Sequence, residues 1–431
     1  MARLKRKKAV RKKVAKSKSA RRLAARRSLR RRILRSRRRA RRQPKLAKPV
    51  IRKEEPPPPS KEPLPPPRPA RKRQVLLCPG PVNTSPHVHA ALGGPDQCHR
   101  EPEFLELLQT VRAKLVHALG LDHRYAAVLI NGSGTAALEA AVLASVDAGQ
   151  KLLVINNGVY GSRIAQIAKI HQIPLSEIRS PITERPDLSR VAAALKRDSH
   201  IGAVAMVHHE TSTGLLNPVE EVGALARKYR RRFLVDAISS LGGDRLDLVK
   251  AGVGLCVGSA GKCLHGAPGL SFVLLAQEET ARIGKLKPKS LYLDLTLHLK
   301  TQEGGEPPFT PSVPLVVAFA AALDELVREG VKDRVQRYRE RAELLRGGFR
   351  KMGLKFILDE KLQSNTLTAL WLPKDRTYAS LHGPLKKAGY IIYAGQSELK
   401  GKILRVAHMG QLLQADLKGF LKVLKDVVGS A

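Results

Sequence analysis

From about residue 75 onward, short apolar runs alternate with stretches whose apolar residues recur at helical spacing. Residues 127–130 (Ala-Val-Leu-Ile) have the uniform hydrophobicity of a strand buried on both faces, and Gly132-Ser133-Gly134 turns into a predicted helix over 135–145. The same alternation predicts strands at 151–156, 201–207, 233–235, 255–257 and 270–275, with helices over 162–171 and 219–229 among them. Apolar strands separated by helices predict an α/β fold with a mostly parallel sheet, since parallel strands are joined by crossovers that cover its faces. After residue 314 long helices dominate (315–329 and 332–352). Strands return at 367–371, 391–393 and 403–407 before a closing helix from 415. The expected division is a large domain over 75–300, with an N-terminal arm, and a smaller C-terminal α+β domain over 301–431.

Residues 1–74 follow neither period. Of residues 1–42, 23 are Lys or Arg, in runs such as Arg37-Arg38-Arg39, and residues 44–69 are rich in proline (Pro56 to Pro59, Pro65 to Pro67). Like charges at this density repel and leave too little apolar surface to bury, while proline favours extended polyproline II. A disordered basic extension over 1–74 is therefore expected. It carries +29 of the formal net charge of +41, leaving +12 for the rest. Such an arm suits non-specific, salt-sensitive binding of nucleic acid or other polyanions, because it has basic residues for phosphates and no aromatics for base stacking. On that feature alone the chain would be a nucleic-acid-associated protein. A transit segment and a start codon assigned too far upstream are the competing readings.

Cys78, Cys98, Cys256 and Cys263 form no CxxC pair, so neither a disulfide framework nor a zinc finger is expected, and a reducing, cytoplasmic setting fits. No stretch of 18 apolar residues predicts a membrane helix, and no apolar signal segment stands near the start. His208-His209 invites a metal reading, but neighbours on a strand point to opposite faces, so no metal site is predicted.

Three local features carry candidate chemistry. Gly132-Ser133-Gly134-Thr135 lies between a strand and a helix, where free N–H groups at the helix start can hold an anion. Asp236 ends a predicted strand, on the side where α/β sheets bind ligands. Lys262 lies 26 residues further on, among small residues in Gly258-Ser259-Ala260-Gly261-Lys262-Cys263. Singly, each has a plain alternative: a packing turn, a loop cap, an exposed lysine. As a set, with Pro79-Gly80-Pro81, Asn157-Gly158-Val159-Tyr160-Gly161, His209-Glu210-Thr211-Ser212-Thr213-Gly214 and Val235-Asp236-Ala237-Ile238-Ser239-Ser240, they resemble the class V aminotransferases in order and spacing, from about Leu76 to the C-terminus.

That resemblance implies a fold type I transferase dependent on pyridoxal 5'-phosphate. Lys262 would carry the cofactor covalently and move the substrate proton, and Asp236 would pair with the ring nitrogen. Ser133, Gly134 and Thr135 would bind the phosphate, Tyr160 would stack on the ring, Thr211 would touch its hydroxyl, and Ser240 would be a weaker contact. Arg405 would receive the substrate's acidic group, a task suited to a planar fork of donors. A homodimer is implied, with the 309–312 segment completing the partner's phosphate pocket. Phe309 stands where relatives have Tyr, leaving Thr310 or Ser312 to donate. Gly261 departs from the usual Asn or Gln. Residues 207–218 and the run after Lys262 are most similar to 2-aminoethylphosphonate–pyruvate transaminases. The segments 98–104 and 395–410 are more similar to alanine–glyoxylate and serine–pyruvate aminotransferases. The middle weighs more, because it surrounds the cofactor face, so transfer from 2-aminoethylphosphonate to pyruvate or a similar 2-oxo acid is the expected reaction.

Overall fold

The computed structural model describes residues 73–429. Apart from Arg73 and Gln74, the extension expected over 1–74 lies outside the described residues. A seven-stranded sheet forms from β1 Tyr125–Asn131, β2 Lys151–Asn156, β3 Leu175–Arg179, β4 Ile201–Val207, β5 Arg232–Asp236, β6 Leu255–Ser259 and β7 Leu270–Ala276. Their spatial order is β1-β7-β6-β5-β4-β2-β3. Only β7 runs against its neighbours; the other six share one direction.

The helices that cover this sheet follow from which strand residues face which way. They include α1 Pro102–Ala118, α2 Gly134–Ala144, α3 Val159–Ile170, α4 Leu188–Arg197, α5 Val219–Lys228, α6 Leu295–Glu303 and α7 Val313–Glu329. Val128, Ile130 and Leu234 pack with α2, α3 and α6 on one face. Ala127, Leu129, Phe233 and Val235 pack with α1, α4, α5 and α7 on the other. Both faces are dry, which is why the strands read as continuous apolar runs rather than alternating ones.

The C-terminal part centres on a three-stranded antiparallel sheet, β8 Leu367–Trp371, β9 Tyr393–Ala394 and β10 Ile403–Ala407, in the order β8-β10-β9. It shares a core with α8 Val331–Lys351, α9 Tyr378–Lys387 and α10 Gln414–Gly429, through Leu345, Phe349, Leu385, Leu404, Val406 and Phe420. The first described residues are anchored here. Val75–Leu76 pairs in parallel with Tyr390–Ile391, and Arg73 grips Asp416 with two bonds of 2.8 and 2.9 Å.

Several elements go beyond the pattern reading. The 17-residue α1 is announced by a stripe, Phe104, Leu108, Val111 and Leu115, at helical spacing. β3 lacks the apolar signature because it is the sheet edge and carries Ser176, Glu177 and Arg179. The strand expected at 391–393 is split at Ile392, with its two halves pairing different neighbours. No helix among the described residues is long and apolar enough to cross a membrane.

Candidate active site

Five of the six parallel strands deliver a candidate segment from their carboxyl ends. β1 leads into Ser133–Thr135, β2 into Gly158–Tyr160, β4 into His209–Thr211, β5 ends at Asp236, and β6 leads to Lys262. This is the edge at which a parallel α/β sheet forms its ligand crevice.

Asp236 is buried, pairs across β5 with Val207 and Val257, and accepts one hydrogen bond, 3.0 Å from the Ile238 N–H to Oδ1. Its Oδ2 has no partner among the described residues. Burial pushes the carboxyl up to about 7, and the charge of Glu210 adds to the rise. Lys262 is mostly buried and donates to the Pro79 carbonyl. Gly80, at φ 120°, lies against it, and a Cβ there would sit 2.3 Å from Nζ, so glycine is what leaves room for the lysine. Burial lowers the ammonium from its usual value, with Asp236 opposing the shift and Arg405 adding to it. A buried acid and a partly buried amine of lowered basicity at neighbouring strand ends, with no ion pair between them, are the arrangement expected of reactive groups rather than of a structural salt bridge.

The start of α2 is open. Ser133 stands at the N-cap without a side-chain capping bond, and nothing among the described residues accepts from the N–H groups of Gly134 and Thr135. Gly134 cannot be enlarged, since a Cβ would meet Ile238 Cδ1 at 2.8 Å. Exposed donors and a helix dipole with no acceptor in place fit an anionic group such as a phosphate. Arg163, on α3, donates to the Thr135 hydroxyl at 3.2 Å and lies 4.7 Å above the Tyr160 ring, which puts Tyr160 and this helix start side by side.

Arg405, on β10, is almost wholly buried. It donates to the Ala394 carbonyl (2.8 Å), the Thr211 carbonyl (2.9 Å) and Gln396 Oε1 (3.4 Å), leaving Nη2 free among the described residues. The Thr211 hydroxyl is likewise without a partner there. Ser240 is committed inward, to His208 Nδ1 at 3.0 Å and the Ala237 carbonyl at 3.4 Å. Ser312 stands at the N-cap of α7 and its hydroxyl makes no bond among the described residues. Phe309 stacks on Tyr292 at 5.2 Å, and Tyr292 donates to the Asn131 carbonyl at the end of β1. Gly261 packs on the backbone of Pro268, 2.8 Å from where a Cβ would stand, so the longer side chain usual here has no room without a shift.

The structure thus brings Asp236, Lys262, Tyr160, Thr211, Arg405 and the α2 start to one crevice edge, whereas Ser240 faces the interior and Ser312 stands at the start of α7. A cavity of about 510 Å³ opens beside it, lined by Val159, Arg163, Arg179, Ser212 and Gln396. A larger cavity, about 880 Å³, lies elsewhere, among Gly120, Arg124, Asp247 and Lys332, and holds none of the groups above.

The family model for class V aminotransferases matches residues 87–407, a span that includes every segment of this crevice from β1 onward. The chain belongs to the class V aminotransferases. It is 37% identical over 364 residues to a 2-aminoethylphosphonate–pyruvate transaminase of Klebsiella pneumoniae, covering 83% of this chain and 98% of that one. A second protein of that name, from Syntrophobacter fumaroxidans, is 38% identical, with coverage of 82% and 96%. Among solved structures, alanine–glyoxylate aminotransferase from Nostoc sp. superposes with a TM-score of 0.79 at 27% identity, covering 83% of this chain and 96% of that one. The architecture of this class V enzyme is accordingly fold type I.

Two residues of this aminotransferase carry more of the site's geometry than sequence reading assigned to them. Glu210 was visible only as part of a motif; Arg163 was signalled only by its place one helical turn after Tyr160.

Proposed function

We propose that this aminotransferase uses pyridoxal 5'-phosphate bound through Lys262 and moves the amino group of 2-aminoethylphosphonate to pyruvate or a similar 2-oxo acid. The observation that carries the choice of donor is the identity of 37–38% to two proteins of that activity, sustained over more than four fifths of the chain. When bound, the cofactor supplies an electron sink conjugated to the amino group. The chain's residues supply the rest. Lys262 Nζ would hold the cofactor and would move a proton at the substrate carbon. The Asp236 carboxylate keeps the ring nitrogen cationic, and the open start of α2, with Ser133, Gly134 and Thr135, takes the phosphate. Tyr160 would lie against the ring, and Thr211 would offer it a hydroxyl that has no partner among the described residues. Nη2 of Arg405 receives the substrate's acidic group. Ser240 acts, in this reading, through His208 rather than by contact.

A second donor assignment is favoured by one observation, the match to alanine–glyoxylate aminotransferase among solved structures, together with the related sequence at 395–410. Steady-state rates separate the two: 2-aminoethylphosphonate with pyruvate should give a kcat/KM at least tenfold above alanine or serine with glyoxylate or pyruvate. A preference for alanine or serine would assign the enzyme to the alanine–glyoxylate and serine–pyruvate group.

We read the active unit as a homodimer in which Thr310 or Ser312 of one subunit completes the phosphate pocket of the other. Leu291 and Tyr292, exposed beside Phe309, are the apolar surface such an interface would cover. Sedimentation at micromolar concentration should find a dimer; a fully active monomer would refute this. The sheet-bearing part, with α7 still packed on the sheet, and the C-terminal part that follows it are read as the two walls of the crevice. Four free thiols suit a reducing, cytoplasmic setting. The basic residues of 1–72 are read as a separable polyanion-binding arm, so removing them should leave turnover intact and abolish salt-sensitive retention on heparin.

A further inference from the structure

Glu210 lies beyond the end of β4 and is wholly buried. Its carboxylate accepts the N–H of Tyr160 at 3.1 Å to each oxygen, the N–H of Gly161 at 3.2 Å and the Ser212 hydroxyl at 2.9 Å. All these donors are neutral, and among the described residues no cation reaches it within ion-pair distance. The carboxyl fills the space of a missing side chain: a Cβ on Gly158 would stand 2.3 Å from its Cγ and Cδ. An ordinary helix cap would come from position 158 itself, through Ser, Thr, Asp or Asn. Here the cap of α3 arrives from a different strand end, and the residue it grips by the backbone is Tyr160. Burial raises the carboxyl of Glu210, and its charge in turn is felt by Asp236 and by Arg405. The helix start and three donors keep such an anion in place at low dielectric, where its field is little screened.

We propose that Glu210 is a positioning residue for transamination: its carboxylate, by holding the Tyr160 and Gly161 N–H groups, sets Tyr160 at the ring face, and it provides a second fixed negative charge three residues beyond Val207, the strand partner of Asp236, in support of a cationic ring nitrogen. This rests on the pyridoxal-phosphate reading of the site and adds to it a residue that never touches the substrate. A neutral cap would serve the helix equally well. What distinguishes the two is the charge, so the decisive change keeps shape and removes charge.

In the full-length enzyme loaded with pyridoxal phosphate, Glu210→Gln should lower kcat by roughly 10- to 100-fold while KM for donor and acceptor stays within about threefold, the pattern of an interaction felt only in the chemical step. The visible absorption of the bound cofactor at a fixed pH of 8 should shift in band position or relative intensity. A folded Glu210→Gln enzyme with wild-type kcat and spectrum would overturn the proposal, and so would a rise in KM alone. If the glutamine variant does not fold, Glu210→Asp decides, since it retains the charge: a wild-type-like spectrum supports the proposal, and a perturbed one overturns it. Failure of the unmodified protein to take up pyridoxal phosphate would be seen separately and would count against the underlying site, not against Glu210.

Discussion

The two ends of the central sheet handle buried charge in opposite ways. At the amino end, Arg232 of β5 reaches Asp147 at 2.5 Å, and Arg282 joins the same carboxylate at 2.9 Å and Glu279 at 2.6 Å. Each of these four charges has an opposite partner in contact. At the carboxyl end, Asp236 and Glu210 are buried and Lys262 is partly so, yet none forms an ion pair with another or with any described residue. Pairing satisfies the charges at one end and contributes modestly to stability. At the other, the carboxylates are held by neutral donors and the amine by a carbonyl, and all are kept available, with an acid raised to about 7 and an amine lowered. A fold tolerates such groups where they do chemistry, because each costs free energy that only a ligand can recover.

The contrast breaks most sharply at Lys262. Lys262→Ala should lose at least about 10⁴-fold in turnover, since covalent attachment and proton transfer vanish together. Its melting temperature should not fall, because a desolvated amine is removed. Residual activity above a hundredth of wild type would mean that another group moves the proton. Next in size, Asp236→Asn should keep the fold and part of the cofactor affinity while losing on the order of 3–5 kcal/mol of transition-state stabilisation, read as kcat/KM in the purified variant. Near-normal turnover would place Asp236 away from the ring.

Asp236 also sharpens the comparison through pH. Its folded pKa, about 7, lies above the ordinary 3.8. The stability tied to the protonated acid is therefore fully present below about 4 and is lost as pH rises through 7. Apoprotein unfolded in urea should be less stable at pH 8 than at pH 5, and Asp236→Asn should show a smaller drop. A parallel pH profile in the variant would contradict the raised value. The smallest effect belongs to the amino end. Asp147→Asn should cost roughly 1 kcal/mol of stability, because this carboxylate is partly exposed, and should leave kcat within twofold. A large loss of turnover would mean that the two ends are coupled.

Much of the large sheet was legible because burial on both faces leaves runs with few polar residues, as at 151–156 and 201–207, where the strands fall at those same bounds. The exposed edge strand carrying Glu177 was not, since its period is masked by the side chains that keep an edge from pairing. Within the crevice, Asp236, Lys262 and the Gly132–Thr135 turn stood out by their place relative to strands. Glu210 did not, because its role depends on what Gly158 lacks, and that is a contact between residues about 50 positions apart. The inward commitment of Ser240 was hidden for a similar reason: it turns on a bond to His208, 32 positions away.

The account depends above all on where the cofactor is attached. Reduction of the pyridoxal-phosphate-loaded protein with borohydride, followed by proteolysis and mass spectrometry, should find a single phosphopyridoxyl adduct, on the peptide containing Gly261-Lys262-Cys263. An adduct on any other lysine, or no stoichiometric adduct from a yellow protein, would contradict it.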